Sequence, residues 1–378
     1  MRIEQLHWTT RNGWQPAVPA LHDADLVLIF GATDRLEAAR LDELRAFYPD
    51  ARQFGCSTAG EILDARVYDE SIAVTAVSFA ATEVRLVSQA IVDSAASEAA
   101  GAALAAQLPR DGLRHVLVLS DGLHVNGTEL VRGIKGGLPP EVEVTGGLSG
   151  DGARFGRTLV IADAPPRERL VAAVGFYGER FQVGHGSLGG WDPFGPSRLI
   201  TRSEGNVLYE LDGQSALALY KQYLGEHAAG LPATGLLFPL ALRAEGENGS
   251  EADGLVRTIL AVDEAGQSMT FAGDMPQGRY VRLMKANFDR LVEGAAGAAR
   301  VASAAMKDAQ LAVLVSCVGR KLVLKQRVEE EVEGVRDVLG AGARLTGFYS
   351  YGEISPYTPT ARCELHNQTM TITTFSET

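Results

Sequence analysis

Cysteine is scarce in this 378-residue chain: Cys56, Cys317 and Cys363 are the whole supply, and they stand far apart. Three scattered thiols make no disulfide framework, and without C-x-x-C or H-E-x-x-H spacing the sequence supports no structural zinc site. They fit a reducing compartment, where cysteine is a small buried apolar residue. No apolar run approaches the roughly 18 residues of a membrane helix, and the opening Met1–Trp14 stretch lacks the basic-then-apolar layout of a secretory signal. A cytoplasmic protein is expected. Basic residues number 35 against 47 acidic, a net charge of −12. That balance leaves no broad cationic face for nucleic acid or anionic lipid.

Glycine, by contrast, punctuates many short β-branched runs, and one order of elements recurs three times. A strand, a helix, a Gly/Ser/Thr turn carrying an acid and another strand appear first as "DLVLIF", a helix over 34–47, "GCSTAGE" and "SIAVTAVSF". They reappear as "HVLVLSDG", a helix from Gly127, "VTGGLSGDG" and "RTLVIAD", and again as "LAVLVSC", a helix over 321–339, "LTGFYSYGE" and "TMTITTF". Strand–helix–strand order predicts parallel pairing with right-handed crossovers. The added strands predict hairpins, hence an α/β (mixed α+β) chain with mixed sheets. Between the second and third units, "LVAAVGFYG" and "FQVGHGS" alternate as a hairpin does. "LDGQSALALYKQYLG" predicts a helix with Asp212 as N-cap and Gly225 as stop. "VRTILAVDEAGQSMTFAG" predicts two strands about a Glu-Ala-Gly-Gln turn, and "GENGSEADG" a mobile polar loop. A boundary near 203/204 divides the chain into halves, 25–203 and 204–378.

The octets "GCSTAGEI" (55–62) and "GFYSYGEI" (347–354), with "GGLSGD" as a looser third, are the most specific local feature. Such turns expose backbone N–H groups to an anion or polar ligand. Cys56, Ser57, Thr58, Ser149, Asp151, Tyr349 and Ser350 are candidate ligand residues, with Glu61 and Glu353 placed to fix an amine. Equally, the hydroxyls of such turns can satisfy their own backbone. A nucleophile is disfavoured, because G-x-S-x-G needs glycine where Ala59 stands; a Cys or Ser hydrolase is therefore the weaker alternative. "GHGSLG" (184–189) matches G-x-G-x-x-G but runs into "GWDPFGP", which cannot open the helix that a dinucleotide needs. In "CELH", Cys363 and His366 point to different faces of the strand or turn expected there.

The blocks "GCSTAGEI", "LSDGLHVNGTELVRG", "TGGLSGDG", "GGWDPFGPSRLITRSEGNVLYELDGQSALALYKQYLG", "SCVGRKLVLKQR", "GFYSYGEISP" and "CELHNQTMTITTFSE" resemble the FIST family. That resemblance implies sensory proteins with an N-terminal and a C-terminal FIST domain. Some stand-alone members, the NosP proteins, bind haem, sense nitric oxide and regulate a histidine kinase in two-component or cyclic-di-GMP pathways. Amino acids are the ligands proposed for the wider family. A haem needs an apolar cleft, an axial donor and cations for its propionates; His185 or His366 is the candidate donor, and Arg198, Arg202 or Lys221 the candidate cation. Trp191 and Asn367 lie in the same blocks and join the candidate ligand residues. The expectation is a non-enzymatic sensor of haem-bound nitric oxide, or alternatively of an amino acid or other small metabolite. A purely structural partner protein is the weakest class.

Overall fold

A computed structural model describes residues 1–243, 255–304, 306, 308–356 and 362–378; the polar loop expected at 246–254 lies outside them. The first stretch holds β1 (Arg2–Thr9), β2 (Gly13–Gln15), β3 (Leu26–Gly31), α1 (Ala38–Phe47), β4 (Arg52–Ser57), β5 (Glu61–Leu63), β6 (Arg66–Tyr68) and β7 (Ile72–Ser78). The second holds β8 (Glu83–Ala90), α2 (Ser97–Ala105), β9 (Leu113–Ser120), α3 (Gly127–Gly137), β10 (Glu143–Leu148), β11 (Val160–Ala162) and β12 (Leu170–Tyr177). The third opens with β13 (Phe181–Leu188). An insertion follows: β14 (Trp191–Glu204), β15 (Val207–Leu211), β16 (Gln214–Ser215), α4 (Ala216–Leu224), β17 (Leu240–Leu242), β18 (Leu255–Arg257), β19 (Ile259–Asp263), β20 (Ser268–Phe271) and β21 (Tyr280–Ala286). The unit resumes with α5 (Phe288–Ala304), β22 (Leu311–Cys317), α6 (Val318–Leu324), α7 (Val328–Leu339), β23 (Arg344–Ser350), β24 (Gly352–Pro356), β25 (Cys363–His366) and β26 (Met370–Glu377).

The expected mixed α/β class holds, and the three units share one topology. The apolar runs become the central strands β3, β9 and β22, nearly all of whose residues are buried. Such runs are what a strand covered on both faces requires. Each pairs in parallel with the strand after its helix (β4, β10, β23) and antiparallel with a later one (β7, β12, β26). A preceding strand (β1, β8, β13) then closes the far side. The short strand after each turn leaves its own unit: β5 pairs with β23, β11 with β4 and β24 with β10. The exchange is cyclic, so every sheet is completed by a neighbouring unit.

Several expectations change here. The closing strand of the second unit is β12 and not "RTLVIAD", whose β11 is the exchanged strand. The hairpin expected from "LVAAVGFYG" and "FQVGHGS" is absent: β12 is already flanked by β8 and β9, so β13 pairs with β26 in another sheet. The helix expected over 34–47 begins at Ala38, and that over 321–339 is interrupted at Lys325, whose φ is 50°. Asp212 is no N-cap. It sits in the turn between β15 and β16, while Ser215 accepts from the Ala218 N–H and caps α4.

A central core receives side chains from all three sheets, including Leu28, Leu119 and Val315. Phe30 and Phe348 stack at 4.9 Å near the ends of the parallel strands. Phe176, Phe181 and Phe375 stack near their beginnings. Separate cores lie under the helices.

The insertion forms one sheet in the order β18-β17-β21-β14-β15-β20-β19. Its two edge strands, β18 and β19, are separated in sequence only by Thr258. The sheet therefore closes on itself as a small barrel, with edges removed by closure. Its apolar interior includes Ile200, Leu208, Met269, Phe271 and Leu283, and α4 covers it through Leu217, Tyr220 and Leu224. The division expected at 203/204 falls at the end of β14, inside this barrel.

Candidate functional site

The three turns meet at the carboxyl ends of the parallel strands. Ala59 N–H donates to Tyr349 O and Tyr349 N–H to Gly60 O, both at 2.8 Å; Gly150 N–H donates to Ser57 O at 2.9 Å, and Tyr351 N–H to Leu148 O at 3.2 Å. Each turn is thus stitched to a neighbour. Gly55, Gly146 and Gly347 occupy equivalent places in β4, β10 and β23. A Cβ at any of them would collide with the carbonyl oxygen opposite, on Ile29, Val118 or Leu314. The shared glycine of the octets therefore serves close strand approach.

The acids of the octets are spent on the same framework. Glu61 accepts from Thr58 Oγ1, from Ser71 Oγ at 2.7 Å and from Ser71 N–H at 3.2 Å. Glu353 accepts from Ser350 Oγ at 2.6 Å, Thr369 Oγ1 at 3.0 Å and Thr369 N–H at 3.1 Å. In the second unit Asp121 accepts from Arg169 N–H at 2.7 Å. Ser71, Arg169 and Thr369 directly precede β7, β12 and β26, so one carboxyl anchors the same N–H in every unit. Burial pushes Glu61 up to about 7 and Glu353 up to about 8, against the pull of their hydroxyl and amide donors.

Cys56, Ser57, Thr58, Glu61, Ser149, Asp151, Tyr349, Ser350 and Glu353 all come together at this junction, buried. Ser57 Oγ donates to Gly150 O and accepts from Leu159 N–H, both at 2.8 Å. Burial raises the Cys56 thiol well above its ordinary value. Asp151 accepts from Arg154 Nε at 2.8 Å and Arg157 N–H at 3.0 Å. Tyr349 donates to Glu331 at 2.7 Å, and Glu331 pairs with Arg320; both charged side chains are fully buried. Sequence reasoning missed this pair, which carries no spacing signature beyond a basic and an acidic residue on consecutive helices.

Asn367 and Trp191 join the junction to the barrel. Asn367 Nδ2 donates to Tyr351 O, while its Oδ1 accepts from Thr258 N–H at the barrel seam, both at 3.4 Å. Trp191 Nε1 donates to Gln368 O at 2.9 Å, and Gln368 Nε2 donates to Thr258 Oγ1 at 3.1 Å.

The other candidates are dispersed. His366 is buried, its Nε2 2.8 Å from Ser355 O, and burial lowers it to about 4. His185 lies on β13 beside Thr373, its Nδ1 without a hydrogen-bond partner, and burial lowers it too. Arg198, Arg202 and Lys221 stand on the barrel and α4, bound to Asp212, Glu210 and Glu264. Among the described residues no group of three or more His, Cys, Asp or Glu is arranged to hold a metal ion.

A small apolar pocket lies at the barrel mouth. Phe194 and Arg198 of β14, Leu219 and Tyr223 of α4, and Leu283 of β21 line it. Barrel mouths are common ligand sites. The Leu219/Tyr220/Tyr223 spacing on the expected helix was its available sequence signal.

A FIST N domain model matches residues 25–214, and a FIST C domain model matches 216–356. No curated relative matches the chain in sequence. Among solved structures, it is similar to the crystal structure of cyanuric acid hydrolase from A. caulinodans at 8% identity. That match has a TM-score of 0.34 and covers 100% of this chain and 98% of the other. FIST domains are generally sensory domains of signal transduction, and with both domain models matched in order the chain belongs to the FIST family.

Proposed function

We propose that the chain is a non-enzymatic sensor that binds a small metabolite at the barrel mouth and reports to a separate signalling protein, a histidine kinase or cyclic-di-GMP enzyme. The observation that carries this reading is the pocket between α4 and the barrel strands, apolar in lining and open to solvent. The turn junction offers no comparable opportunity. An amino acid bound there would have to displace the hydroxyl and N–H groups already held by Glu61 and Glu353. Catalysis is disfavoured because Ser57 is committed to backbone partners and Cys56 is held as a buried thiol. The seam at Thr258, bonded through Asn367 and Gln368 to the loop that Glu353 anchors, is the route by which a change in the barrel reaches the core.

The candidate haem residues do not fit a haem in this arrangement. His366 is committed to Ser355 O, His185 lies on β13 and the three cations on β14 and α4, and each cation already holds a carboxylate. The pocket is also too small for a tetrapyrrole.

A thermal-shift screen of small metabolites tests the proposal, because a ligand that binds only the native state must raise Tm. The expected result is a ligand whose stabilisation disappears in Leu219→Trp, which fills the pocket. A Soret band after addition of haemin that shifts with nitric oxide, and persists in Leu219→Trp, would overturn it in favour of a haem sensor.

A further inference from the structure

The second unit breaks the threefold pattern of buried acids. In the first and third units the anchoring carboxyl belongs to the turn, as Glu61 and Glu353, and its hydroxyl partners are buried with it. In the second unit the anchor is Asp121, at the carboxyl end of β9. Its side chain is fully buried and accepts from Leu123 N–H and His124 N–H, both at 2.8 Å, and from Arg169 N–H at 2.7 Å. It also meets an imidazole, for His124 Nδ1 lies 3.2 Å from Oδ1 and 3.3 Å from Oδ2. The His124 side chain is 28% exposed. Its Nε2 is open to solvent and makes no hydrogen bond among the described residues. The acid network of the core thus reaches the surface here through a histidine.

The three N–H donors keep the Asp121 carboxyl an acceptor, so the shared proton sits on Nδ1 and the lone pair falls on Nε2. A carboxylate that orients a histidine in this way makes Nε2 its reactive nitrogen. No hydroxyl or thiol among the described residues is bonded to that nitrogen, which leaves Nε2 itself as the nucleophile. His124 stands two residues before Asn126, the N-cap of the 11-residue helix α3, whose N-terminal end favours added negative charge. The acids tied to that helix end are already held, Asp274 by Asn126 Nδ2 at 3.0 Å and Glu129 by Arg132 Nη1 at 2.7 Å.

We propose that His124 Nε2 is a phosphoacceptor and that Asp121 is its positioning residue. The Nε2 lone pair attacks the phosphorus of an acyl-phosphate or phosphoramidate donor. The new N–P bond forms as the bond from phosphorus to the leaving group breaks, and the leaving group departs with that electron pair. The ring keeps its Nδ1 proton and gains positive charge, which the Asp121 carboxylate faces. This inference goes beyond the sensor reading and does not depend on the barrel pocket.

Phosphoramidate is the probe, applied to the full chain. Digestion and tandem mass spectrometry locate the phosphoryl group, and phosphorus NMR tells Nε2 from Nδ1 attachment. His22 and His227 are exposed and serve as controls within the same chain. His124 should be modified at least about tenfold faster than either, and at Nε2. Asp121→Asn should remove most of that advantage, and thermal melting checks that this variant is folded. If it is not, the comparison with His22 and His227 in the unaltered chain decides alone.

Equal rates at the three histidines, attachment at Nδ1, or an unchanged rate in folded Asp121→Asn would overturn the proposal. Leu219→Trp should leave the rate as it is. A failure at His124 therefore says nothing against the barrel pocket, and a failure of the pocket says nothing against His124.

Discussion

The threefold core and the inserted barrel treat buried polarity in opposite ways. In the core, Glu61, Glu353, Arg320 and Glu331 are enclosed, and each is met by several hydrogen-bond partners. The barrel interior is almost wholly apolar, and its buried Arg257 and Thr258 turn to the core, Arg257 Nη1 donating to Leu365 O at 2.7 Å and Thr258 N–H to Asn367 Oδ1 at 3.4 Å. A buried hydrogen-bond network around charged groups specifies one arrangement and resists change, whereas an apolar interior is held by packing alone.

Arg320 is where that contrast can be broken most severely. Its Nε and Nη2 reach Glu331 at 3.0 and 2.8 Å, and its remaining donors go to Gly189 O at 2.9 Å and Leu291 O at 2.7 Å. Those carbonyls flank the points where the chain leaves the core for the barrel and returns. Arg320→Met strands Glu331 as a buried acid beside Tyr349, and breaking one partner of a buried pair costs about 3–5 kcal/mol. Urea unfolding should show that loss as a lower midpoint. A loss under 1 kcal/mol would mean that the pair is dispensable and that the core is no more rigidly specified than the barrel.

Much of the core was legible because "DLVLIF", "HVLVLSDG" and "LAVLVSC" are continuous apolar runs, each followed by a helix. The cyclic exchange was not. The swapped strands β5 and β11 are three residues long, too short for a period to declare which sheet they join. The octets were found but not their purpose, since Ser, Thr and Glu at a turn look alike whether they face a ligand or one another. Barrel closure was invisible for a further reason. It depends on one residue, Thr258, separating two strands that pair at opposite ends of the sheet. The pocket followed it out of sight, although Arg198 had been singled out for its charge.

The next largest effect is a pH dependence that belongs to the core. Glu61 and Glu353 keep their protons to about 7 and about 8 when folded, against an ordinary value of 4.5. Above pH 4.5 the unfolded chain releases protons that the folded chain retains, so stability falls as pH rises, by about 1.4 kcal/mol per pH unit for each group. His115 and His366, lowered by burial to about 3 and about 4 from 6.5, act in the other direction. Below pH 6.5 the unfolded chain takes up protons that these buried rings refuse, so stability falls as pH drops. Between 4.5 and 6.5 the two slopes offset one another. Urea midpoints should therefore be highest and flattest in that window and decline toward pH 8. Glu61→Gln with Glu353→Gln should flatten the alkaline limb and leave the acid limb in place. An alkaline limb unchanged in the double variant would show that these carboxyls are already ionised in the folded chain.

The smallest expected effect is confined to the barrel. Tyr220 is buried between α4 and the barrel, and its hydroxyl donates to Phe238 O at 2.7 Å. Tyr220→Phe keeps the ring and its packing but leaves that carbonyl without its donor, which costs about 1 kcal/mol. The barrel meets the core through hydrogen bonds at Arg257, Thr258, Asp274 and Leu236 and through an apolar cluster that includes Trp191, Val256, Met284, Leu291 and Val323. Tyr220 belongs to neither and packs in the barrel's own core. The loss should therefore stay local, because stability is not uniform across a structure. Hydrogen exchange should accelerate in peptides from 191–243 and 255–286 while β3, β9 and β22 keep their protection. Equal acceleration in the central strands would mean that barrel and core unfold as one unit, and a ligand at the barrel mouth would then act on the whole chain without any separate route through the seam.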